Sequence, residues 1–437
     1  MTNNISDKYK TDFTKLQANS NYLNKTRDSA MENFHLVGLP TARRGNEKWK
    51  YTNIAPIATT EFRLPEGSNV DLNSIRKQAF LDDSWINLIF VDGKFNSKLS
   101  DDFDLDSISI KMLSSLSQDE YISLDIENHL GSLINLAEEG FPALNTAFLS
   151  DGIIIFVPEG IKFEKLINIV FFNSGQQNVV SHPRVLLNVG LNSTVSVMES
   201  YVGGSNEVSF TNSVSEVILD KGATLNHYRL LDESDTTYDV GYARVKLDQD
   251  SKFLSKSFFK GASIGRYDLN VLIEGERGSC DLKGLYLTTG SQHMDNFINI
   301  DHVAPNGTSN LLYKGILDDK SRAVFGGTVM VRQTAQKTES VQSDKNLLLS
   351  PDAEVDSKPS LYIYADDVKC AHGATAGNVD AETIFYMLSR GIDIELASKL
   401  LLYGFAGEII DSIKLEELRS KFESSFLESL PNYKFEI

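Results

Sequence analysis

The sequence predicts a mainly β protein built around a β-helix. From about Gly152, helical spacing is absent for about two hundred residues, and short β-rich runs alternate with polar turns. A polar turn followed by an alternating strand recurs at intervals of mostly about 27 to 30 residues. Helical patterns are confined to the two ends of the chain. Repeats made of strands and turns are typical of a β-helix, and a β-sandwich or jelly roll is the alternative that turn spacing leaves open.

The repeat copies define a predicted core from residue 151 to 378. In each copy, residues suited to a tight turn precede residues of alternating polarity. An extra copy, KSRAVF near residue 320, falls about half a period after its predecessor. The others read NSTVSVM (192), GATLNHY (222), DSKFLSK (250), RGSCDLK (277), NGTSNLL (306) and PDAEVDS (351).

Composition and charge exclude several classes of function. The chain has 437 residues and a net charge of -18, which argues against binding to nucleic acid or to an anionic membrane. The longest apolar run, residues 152–157, is too short to span a bilayer, and the first residues lack an apolar signal core. Two cysteines cannot form a disulfide framework. We therefore expect a cytoplasmic protein with neither a nucleic-acid nor a membrane partner.

The N-terminal segment, residues 1–150, is predicted to mix helix and strand. Ser6 is a candidate N-cap of a first amphipathic helix. Residues 84–94 alternate as a strand that ends in an Asp-Gly turn, and residues 110–139 are leucine-rich and predicted to be helical. Trp49 and Tyr51 are expected to anchor an arm on the domain.

The C-terminal segment, residues 379–437, is predicted to be helical. A first helix begins near Asp380, a good N-cap, and stops at Gly391. The apolar residues form three stripes, so these helices must bury a face in their own domain or against a partner. The stripes are Ile384, Phe385 and Leu388; Ile394, Ala397, Leu400 and Leu401; and Leu415, Leu418, Phe422 and Phe426.

The candidate site lies where the repeats meet these helices. A short predicted strand places Cys370 and His372 on one face, because side chains two apart in a strand point the same way. Thiolate and imidazole could form half of a metal site, and the other half must come from elsewhere in the chain or from a partner. The sequence GATAG that follows is expected to be a glycine-rich turn.

Other polar residues are assigned structural roles. Cys280 lies within a repeat strand and is expected to pack in the core. His293 and Asp295 share a strand face and could bind a metal, but a structural polar ladder that includes Asp301 and His302 is favoured. Three other histidines, His129, His182 and His227, have no further potential ligand in a recognisable pattern nearby. They are expected to be structural.

The sequence lacks the motif contexts expected for ATP hydrolysis and for a nucleophile elbow. GATAG is not a phosphate loop, because Asn378 stands where such a loop has its lysine. A nucleophile elbow, in which G-x-S-x-G joins a strand to a helix, is not expected either, because the one match, GASIG at residues 261–265, lies where helical spacing is absent. We therefore expect the chain not to be an enzyme and not to hydrolyse ATP itself.

Four stretches resemble the SufB/SufD family of iron–sulfur cluster assembly proteins, and the resemblance spans residues 38 to about 410. They are GLPTARRGNEKWKYTNI, GSQHMDNFINIDHVAPNGTSNLLYKGILDDKSRAVFGG, AQKTESVQSDKNLLLSPDAEVDSKPSLYIYADDVKCAHGATAGNVD and IFYMLSRGI. SufB proteins place a cysteine in the Gln-x-Asp context where this chain has Ser343. The resemblance is therefore to the SufD branch.

The resemblance implies a right-handed parallel β-helix flanked by helical segments. It also implies a complex with a SufB-like subunit and two copies of the ATPase SufC, with a homodimer as an open possibility when the chain is isolated. His372 falls on the histidine implicated in cluster assembly at the SufB interface, and Cys370 is a second, weaker candidate. The cluster or iron would be held transiently in the complex, not stably by this chain alone. Docking of SufC is implied for the C-terminal helices, through Ile384, Phe385, Leu388, Ile394, Leu400 and Leu401.

Two rival functions stay open from sequence. A β-helix polysaccharide-active enzyme needs convergent carboxylates on a groove, often with calcium, and no recognisable catalytic pair is visible. A purely structural interaction module, in which His372 has no chemical role, is the other rival.

Overall fold

The chain winds between two long β-sheets, as the computed structural model shows. It describes residues 2–18, 22–41, 46–67, 69–103 and 105–430. The strands are β1 (Ile86–Val91), β2 (Lys94–Phe95), β3 (Ser109–Met112), β4 (Ile153–Val157), β5 (Lys162–Asn173), β6 (Val179–Ser181), β7 (Arg184–Val189), β8 (Thr194–Gly203), β9 (Ser209–Leu219), β10 (Thr224–Glu233), β11 (Thr237–Leu247), β12 (Lys252–Gly261), β13 (Ile264–Ile273), β14 (Ser279–Thr288), β15 (His293–His302), β16 (Thr308–Leu317), β17 (Arg322–Val331), β18 (Glu339–Leu348), β19 (Glu354–Ile363) and β20 (Lys369–Gly377).

Helices flank this strand-rich region at both ends of the chain. The N-terminal ones are α1 (Thr2–Ala18), α2 (Asn24–Val37), α3 (Ala55–Thr59), α4 (Leu72–Arg76), α5 (Gln118–Ser123), α6 (Ile126–His129) and α7 (Gly140–Ala147), with 3₁₀ turns at Glu47–Trp49 and Leu113–Ser115. The C-terminal ones are α8 (Ala381–Ser389), α9 (Ile394–Ile410) and α10 (Glu416–Ser429). None of the described helices is both long and apolar enough to cross a membrane.

The two sheets form a parallel β-solenoid, which confirms the predicted fold class. Sheet I has the order β2-β1-β5-β8-β10-β12-β14-β16-β18-β20, and sheet II has the order β19-β17-β15-β13-β11-β9-β7-β4-β3. From β8 onward, successive strands alternate between the sheets, so each coil contributes one strand to each. Each strand pairs in parallel with the strand one coil away. A jelly roll or sandwich made of antiparallel strands does not have this pattern.

The register explains both the period of the sequence repeat and its half-period copy. Thr194, Thr224, Lys252, Ser279, Thr308, Glu339 and Lys369 align in one ladder of sheet I, 27 to 31 residues apart. The copy near residue 320 begins a strand of sheet II, as does the copy near 351. The sheet I copy that follows 306 therefore starts near Lys337, and the copy near 351 belongs with the half-period copy near 320 in sheet II.

One corner of the solenoid has a left-handed residue in six successive coils. A single residue with positive φ reverses the chain there two residues before each sheet I strand from β8 to β18, and small or polar residues adopt this conformation most easily. Its members are Asn192 (φ 55°), Gly222 (φ 68°), Asp250 (φ 59°), Arg277 (φ 60°), Asn306 (φ 60°) and Lys337 (φ 64°).

Many strands are buried on both faces, because apolar residues pack in three layers. Inward side chains of both sheets form the solenoid interior. The outer face of sheet I packs against α9 and α10, where Phe258 and Leu285 meet Phe422. The outer face of sheet II packs against the N-terminal helices, where Phe210 contacts Phe141.

The flanking segments match the sequence analysis in part. The β1–β2 hairpin with its Asp-Gly turn is confirmed, and Trp49 is buried against Phe141 and Arg266. The first helix begins at Thr2, so the predicted start at Ser6 is wrong. Residues 110–139 contain most of β3 and only two short helices, because polar residues interrupt the leucine pattern. The division at residues 150 and 378 stays a prediction.

A charged network lies inside the solenoid. The guanidinium of Arg229 is sandwiched between the rings of Tyr201 and Tyr267, 4.0 and 4.5 Å from their centroids. It faces Asp239 at 3.5 Å and Glu199 at 3.8 Å, and all three charged side chains are almost fully buried. Burial raises the pKa of Asp239 to about 7 although Arg229 lowers it. Asp239 therefore binds a proton more tightly in the folded chain than in the unfolded one.

The raised pKa of Asp239 makes stability depend on pH. An unfolded Asp has a pKa of about 3.9, so this stabilising protonation is complete below that pH and is lost as pH rises through about 7. We expect the free energy of unfolding to fall by roughly 1 to 3 kcal/mol more between pH 5 and 8 in the native chain than in Asp239→Asn. Urea unfolding at several pH values measures this, and parallel pH profiles would contradict it.

Replacing a glycine that has positive φ with alanine is expected to destabilise the fold. Ala at Gly222 (φ 68°) would bring its Cβ to 2.3 Å from Asn192 Oδ1, whereas Ala at Gly290 (φ 59°) would meet nothing within 4 Å. Left-handed strain alone costs about 1 to 2 kcal/mol. We expect Gly290→Ala to lose about this much and Gly222→Ala to lose more, measured by chemical denaturation. Gly67→Ala, in open space, is the control that should be near neutral.

Candidate functional site

The last coil of the solenoid is uncovered. Among the described residues, β20 is the final strand of sheet I and pairs only with β18, and residues 371–378 are all exposed. At the other end, the antiparallel strands β2 and β3 close the two sheets. The β20 end, which we call the open end, therefore presents a free strand edge together with the interior that a further coil would cover.

The sequence GATAG is strand and not a turn. Residues 373–377 form the second half of β20 and pair with residues 343–347 of β18. The predicted turn is therefore wrong. Its glycines and alanines have small side chains, and no Cβ at Gly373 or Gly377 would meet a described atom within 4 Å. The small residues thus leave the backbone edge of β20 accessible to another chain.

Cys370 and His372 do share one face, and it is the interior face. In the register, Cys370 lies opposite Ser340 and His372 lies opposite Gln342. Cys370 is partly buried and packs against the solenoid interior, whereas His372 is exposed because no coil follows it. The imidazole therefore stands at the mouth of the interior and the thiol at its edge.

A polar floor lies beneath these two side chains. Ser340, Gln342, Asp344 and Asn346 occupy successive inward positions of β18, and all four are buried. Gln342 Nε2 donates to the Gly327 carbonyl oxygen at 3.1 Å, while Oε1 has no partner among the described residues. This floor was not predicted from the sequence. Its signal is the polar residue at every second position from 340 to 346, with Val341 between them 53% exposed.

Asp344 is the ionisable group of the floor. It accepts hydrogen bonds from Ser357 and from Asn346 Nδ2, the latter at 2.8 Å, and the Tyr286 hydroxyl lies 3.5 Å away. Burial raises the pKa of Asp344 to about 6, although these hydrogen bonds lower it. The carboxyl group can therefore exchange a proton close to neutral pH.

The Cys370 thiol is not activated in the isolated chain. Burial raises its pKa above the usual value, although a backbone hydrogen bond from Ser340 lowers it. At neutral pH the sulfur is therefore protonated, and a thiol is a much weaker metal ligand than a thiolate. Ser343, where SufB proteins are expected to carry a cysteine, pairs with Gly373 and points to the opposite face from His372.

The predicted docking residues of the C-terminal helices divide by exposure. Ile384 is buried, and Leu388, Ile394 and Leu401 are half-buried. Phe385 is 66% exposed and Leu400 is 47% exposed. Tyr386 and Leu396, which were not predicted, are also exposed, and we use the name C-terminal apolar surface for the four residues Phe385, Tyr386, Leu396 and Leu400.

The block around His293 contains structural contacts. Thr52 Oγ1 lies 2.9 Å from His293 Nε2 and also donates to Asp295, which pairs with Arg266. The described residues contain no group of three or more potential metal ligands. Thr52 belongs to the N-terminal arm, so these contacts tie that arm to sheet II.

Asp301 and His302, the other two candidates of this block, also contact neighbouring side chains. Asp301 pairs with Arg332 at 2.8 Å, and His302 Nε2 lies 2.9 Å from the Ser309 hydroxyl.

Cys280 is buried in the solenoid interior, as expected. Burial raises the pKa of its thiol far above the usual value.

Comparisons with known proteins agree on one family. The family model described as "SUF system FeS cluster assembly, SufBD core domain" matches residues 171–405, and "SufBD protein N-terminal region" matches residues 2–169. An iron–sulfur cluster assembly SufBD family protein of Synechocystis is 30% identical over 405 residues, which cover 90% of this chain and 88% of the relative. Iron–sulfur cluster assembly protein SufD of Escherichia coli is 30% identical over 398 residues, 90% of each chain. A chloroplast protein of Arabidopsis thaliana, ABCI7, is 30% identical over 412 residues, 91% of this chain and 84% of the relative. The chain therefore belongs to the SufBD family of iron–sulfur cluster assembly proteins.

Proposed function

We propose that this chain is a non-enzymatic scaffold subunit of a SUF-type complex, in which it pairs with a SufB-like subunit and docks a SufC-like ATPase. The observation that carries the proposal is the open end, where a free strand edge, a thiol and an imidazole lie over a polar floor. The same edge would serve a homodimer when the chain is isolated. Both cysteines are free, which suits a reducing compartment such as the cytoplasm.

The free edge of β20 suits a partner with the same fold. An unpaired edge presents a row of N–H and C=O groups that another strand can satisfy. Tyr362 and Tyr364, at the end of sheet II, are 51% and 60% exposed and would be covered by the same partner. A SufB-like subunit would bring an equivalent strand edge, so the two solenoids would meet end to end or edge to edge.

Such an interface would complete the metal site of which Cys370 and His372 form one half. The His372 imidazole can bind iron, and a thiolate from the SufB-like subunit would supply the sulfur ligand. The Cys370 thiol would bind iron only if the partner lowered its pKa. We therefore expect Cys370 to have a weaker role than His372. Iron or the nascent cluster is the cargo of this site and is held transiently between the subunits.

The C-terminal apolar surface suits an ATPase partner. The chain has no phosphate loop of its own, so energy from ATP would have to enter through a docked subunit. Helices α8 and α9 contact each other, and exposed aromatic and aliphatic side chains on neighbouring helices are typical of a docking surface. Helix α9 binds the solenoid through its other face, where Leu402 and Ile409 are buried.

The first test concerns His372. We expect His372→Ala to leave folding and assembly with SufB-like and SufC-like subunits intact, because a surface substitution changes stability by about 0.5 kcal/mol or less. Iron and sulfide content of the purified complex should fall about tenfold or more, as is typical when a group that supports a metal is lost. Cys370→Ala should have a weaker effect.

Thr375→Ala is the matched control for His372→Ala. Thr375 lies on the same exposed strand but on its outer face, so its loss should not change cluster content. If the His372→Ala complex held normal iron and sulfide and transferred clusters at the normal rate, the histidine would have only a structural role.

The second test concerns ATPase docking. Deletion of residues 380–437 would uncover the outer face of sheet I, including Phe258 and Leu285, so surface substitution is the sharper experiment. We expect Phe385→Asp with Leu400→Asp to weaken binding of the SufC-like ATPase at least about tenfold, because anchors at an interface contribute about 2 kcal/mol or more each. Calorimetric titration measures the change.

Leu36→Asp provides the control for this substitution. Leu36 lies on α2 and is 82% exposed, so the control adds the same charge far from the docking helices. Full ATPase affinity in the double variant, with the control unchanged, would place the docking site elsewhere.

A further inference from the structure

The free strand edge at the open end carries almost no charge of its own. β20 has Lys369 at its start, and residues 370–377 contain no Lys, Arg, Asp or Glu. Proteins commonly protect an exposed edge with charged side chains or proline, and β20 has neither beyond its first residue. The edge itself therefore does not discriminate between partners, and a second copy of this chain could pair with it.

Carboxylates flank the ends of the last two strands. Asp352 lies just before β19, and Asp366 and Asp367 lie in the turn that leads from β19 to β20. Asp380 follows β20 and precedes α8. All four residues are exposed, and we call them the acidic rim. Each end of each strand at the open end is therefore next to at least one of these carboxylates.

The turn between β19 and β20 keeps a negative charge after its ion pairs are counted. Lys337 pairs with Asp367, and Lys369 pairs with Glu339 at 2.7 Å. Asp366 has no ion-pair partner among the described residues. This corner therefore combines three carboxylates with two lysines, and one negative charge remains.

The start of β19 has the same balance of charge. Asp352 and Glu354 line one surface pocket together with Lys320 and Arg322. Arg322 also pairs with the carboxylate of Asp356 at 2.5 Å. Three carboxylates are therefore offset by two cations, and this end of the strand is also negative.

The end of β20 is negative as well. The Asp380 carboxylate caps α8 and accepts hydrogen bonds from the backbone N–H groups of Glu382 and Thr383, both at 3.2 Å. Glu382 is exposed and adds a second carboxylate. The N-terminus of a helix offsets only about half of one charge. A negative excess therefore remains beside the last residues of the free edge.

A second copy of this chain would meet like charges in either direction of pairing. Antiparallel pairing of two β20 strands places the start of each strand beside the end of the other, whereas parallel pairing places start beside start. Because both ends are negative, each arrangement brings carboxylates together. Like charges that face each other across an interface disfavour the wrong partner, and opposite charges favour the right one.

We propose that the acidic rim selects the partner at the open end, because it disfavours a second copy and favours a SufB-like subunit whose last coil carries a basic rim. This inference rests on the function proposed above and adds the charge of the partner's surface. The strand edge supplies hydrogen bonds to either partner, and the rim supplies the difference in affinity. The homodimer is therefore the weaker of the two assemblies.

Salt should act on the two assemblies in opposite directions. Charges are screened beyond about 10 Å at 0.1 M salt and beyond about 3 Å at 1 M. Sedimentation of the full-length chain should show homodimer affinity rising with sodium chloride over this range. Calorimetric titration with the purified SufB-like subunit should show its affinity falling roughly fivefold or more. A general effect of salt on folding or apolar contacts would shift both affinities in the same direction.

Neutral substitutions that preserve local structure test the rim directly. Asparagine suits the turns at positions 352 and 366, and serine at position 380 keeps an N-cap. The triple variant Asp352→Asn, Asp366→Asn and Asp380→Ser should strengthen the homodimer and weaken binding of the SufB-like subunit. Each affinity should change roughly fivefold or more, as for a few exposed ion pairs.

The matched control removes three exposed carboxylates near the first coils, by Glu61→Gln, Glu159→Gln and Glu207→Gln. It changes the net charge equally and should leave both affinities close to those of the native chain. Equal effects of the two triple variants, or a rim variant that shifts both affinities in the same direction, would overturn this inference alone. Failure of the SufB-like subunit to bind at 0.1 M salt would overturn the proposed function as well.

Discussion

Backbone pairing between successive coils is the constraint on which the whole structure depends. Each strand of the solenoid satisfies its N–H and C=O groups on the coil before and the coil after, so every coil needs two neighbours. The first coils obtain theirs from antiparallel strands of the N-terminal segment. In the part of the chain that the structure describes, the last coil has one neighbour only, since β20 ends sheet I and β19 ends sheet II. The chain therefore has one end that its own fold cannot satisfy, and the candidate site is at that end.

The same stacking determines what the site is made of. Residues that are about one period apart in sequence become neighbours in space, as His372 and Gln342 do. An inward side chain normally has a coil above and a coil below, and its polar groups must be satisfied by those coils. At the open end the upper coil is missing, so His372 is exposed and Gln342 keeps an unpaired Oε1. Buried polar groups without hydrogen-bond partners would destabilise a closed core. The polar floor is therefore better suited to an interface, where a partner can supply the missing hydrogen bonds.

Sequence reasoning found the fold because the turn corner depends on local chemistry. Residues such as Asn192 and Gly222 adopt positive φ with little strain, so they mark most of the coils from β8 to β18 in the sequence. The polar floor was missed because its alternation resembles that of an ordinary half-exposed strand, and only the register shows that its polar side is inside. GATAG was assigned to a turn because glycine is rare within strands, a tendency that does not hold at an exposed edge. Accessibility of the docking residues depends on how α8 and α9 pack, which their apolar stripes do not reveal.

Sheet I connects the two surfaces assigned to partners. Helix α9 carries part of the C-terminal apolar surface and is fixed to the outer face of this sheet, where Lys314 Nζ of β16 donates to the Phe405 carbonyl oxygen and pairs with Glu408, both at 2.8 Å. From β16, hydrogen-bonded ladders lead through β18 to β20, the strand that holds His372. A close-packed interior resists compression, so a displacement of α9 is transmitted and not absorbed. An ATPase that pulled on α9 would therefore act on β16, two strands from the open end, without contacting the site itself.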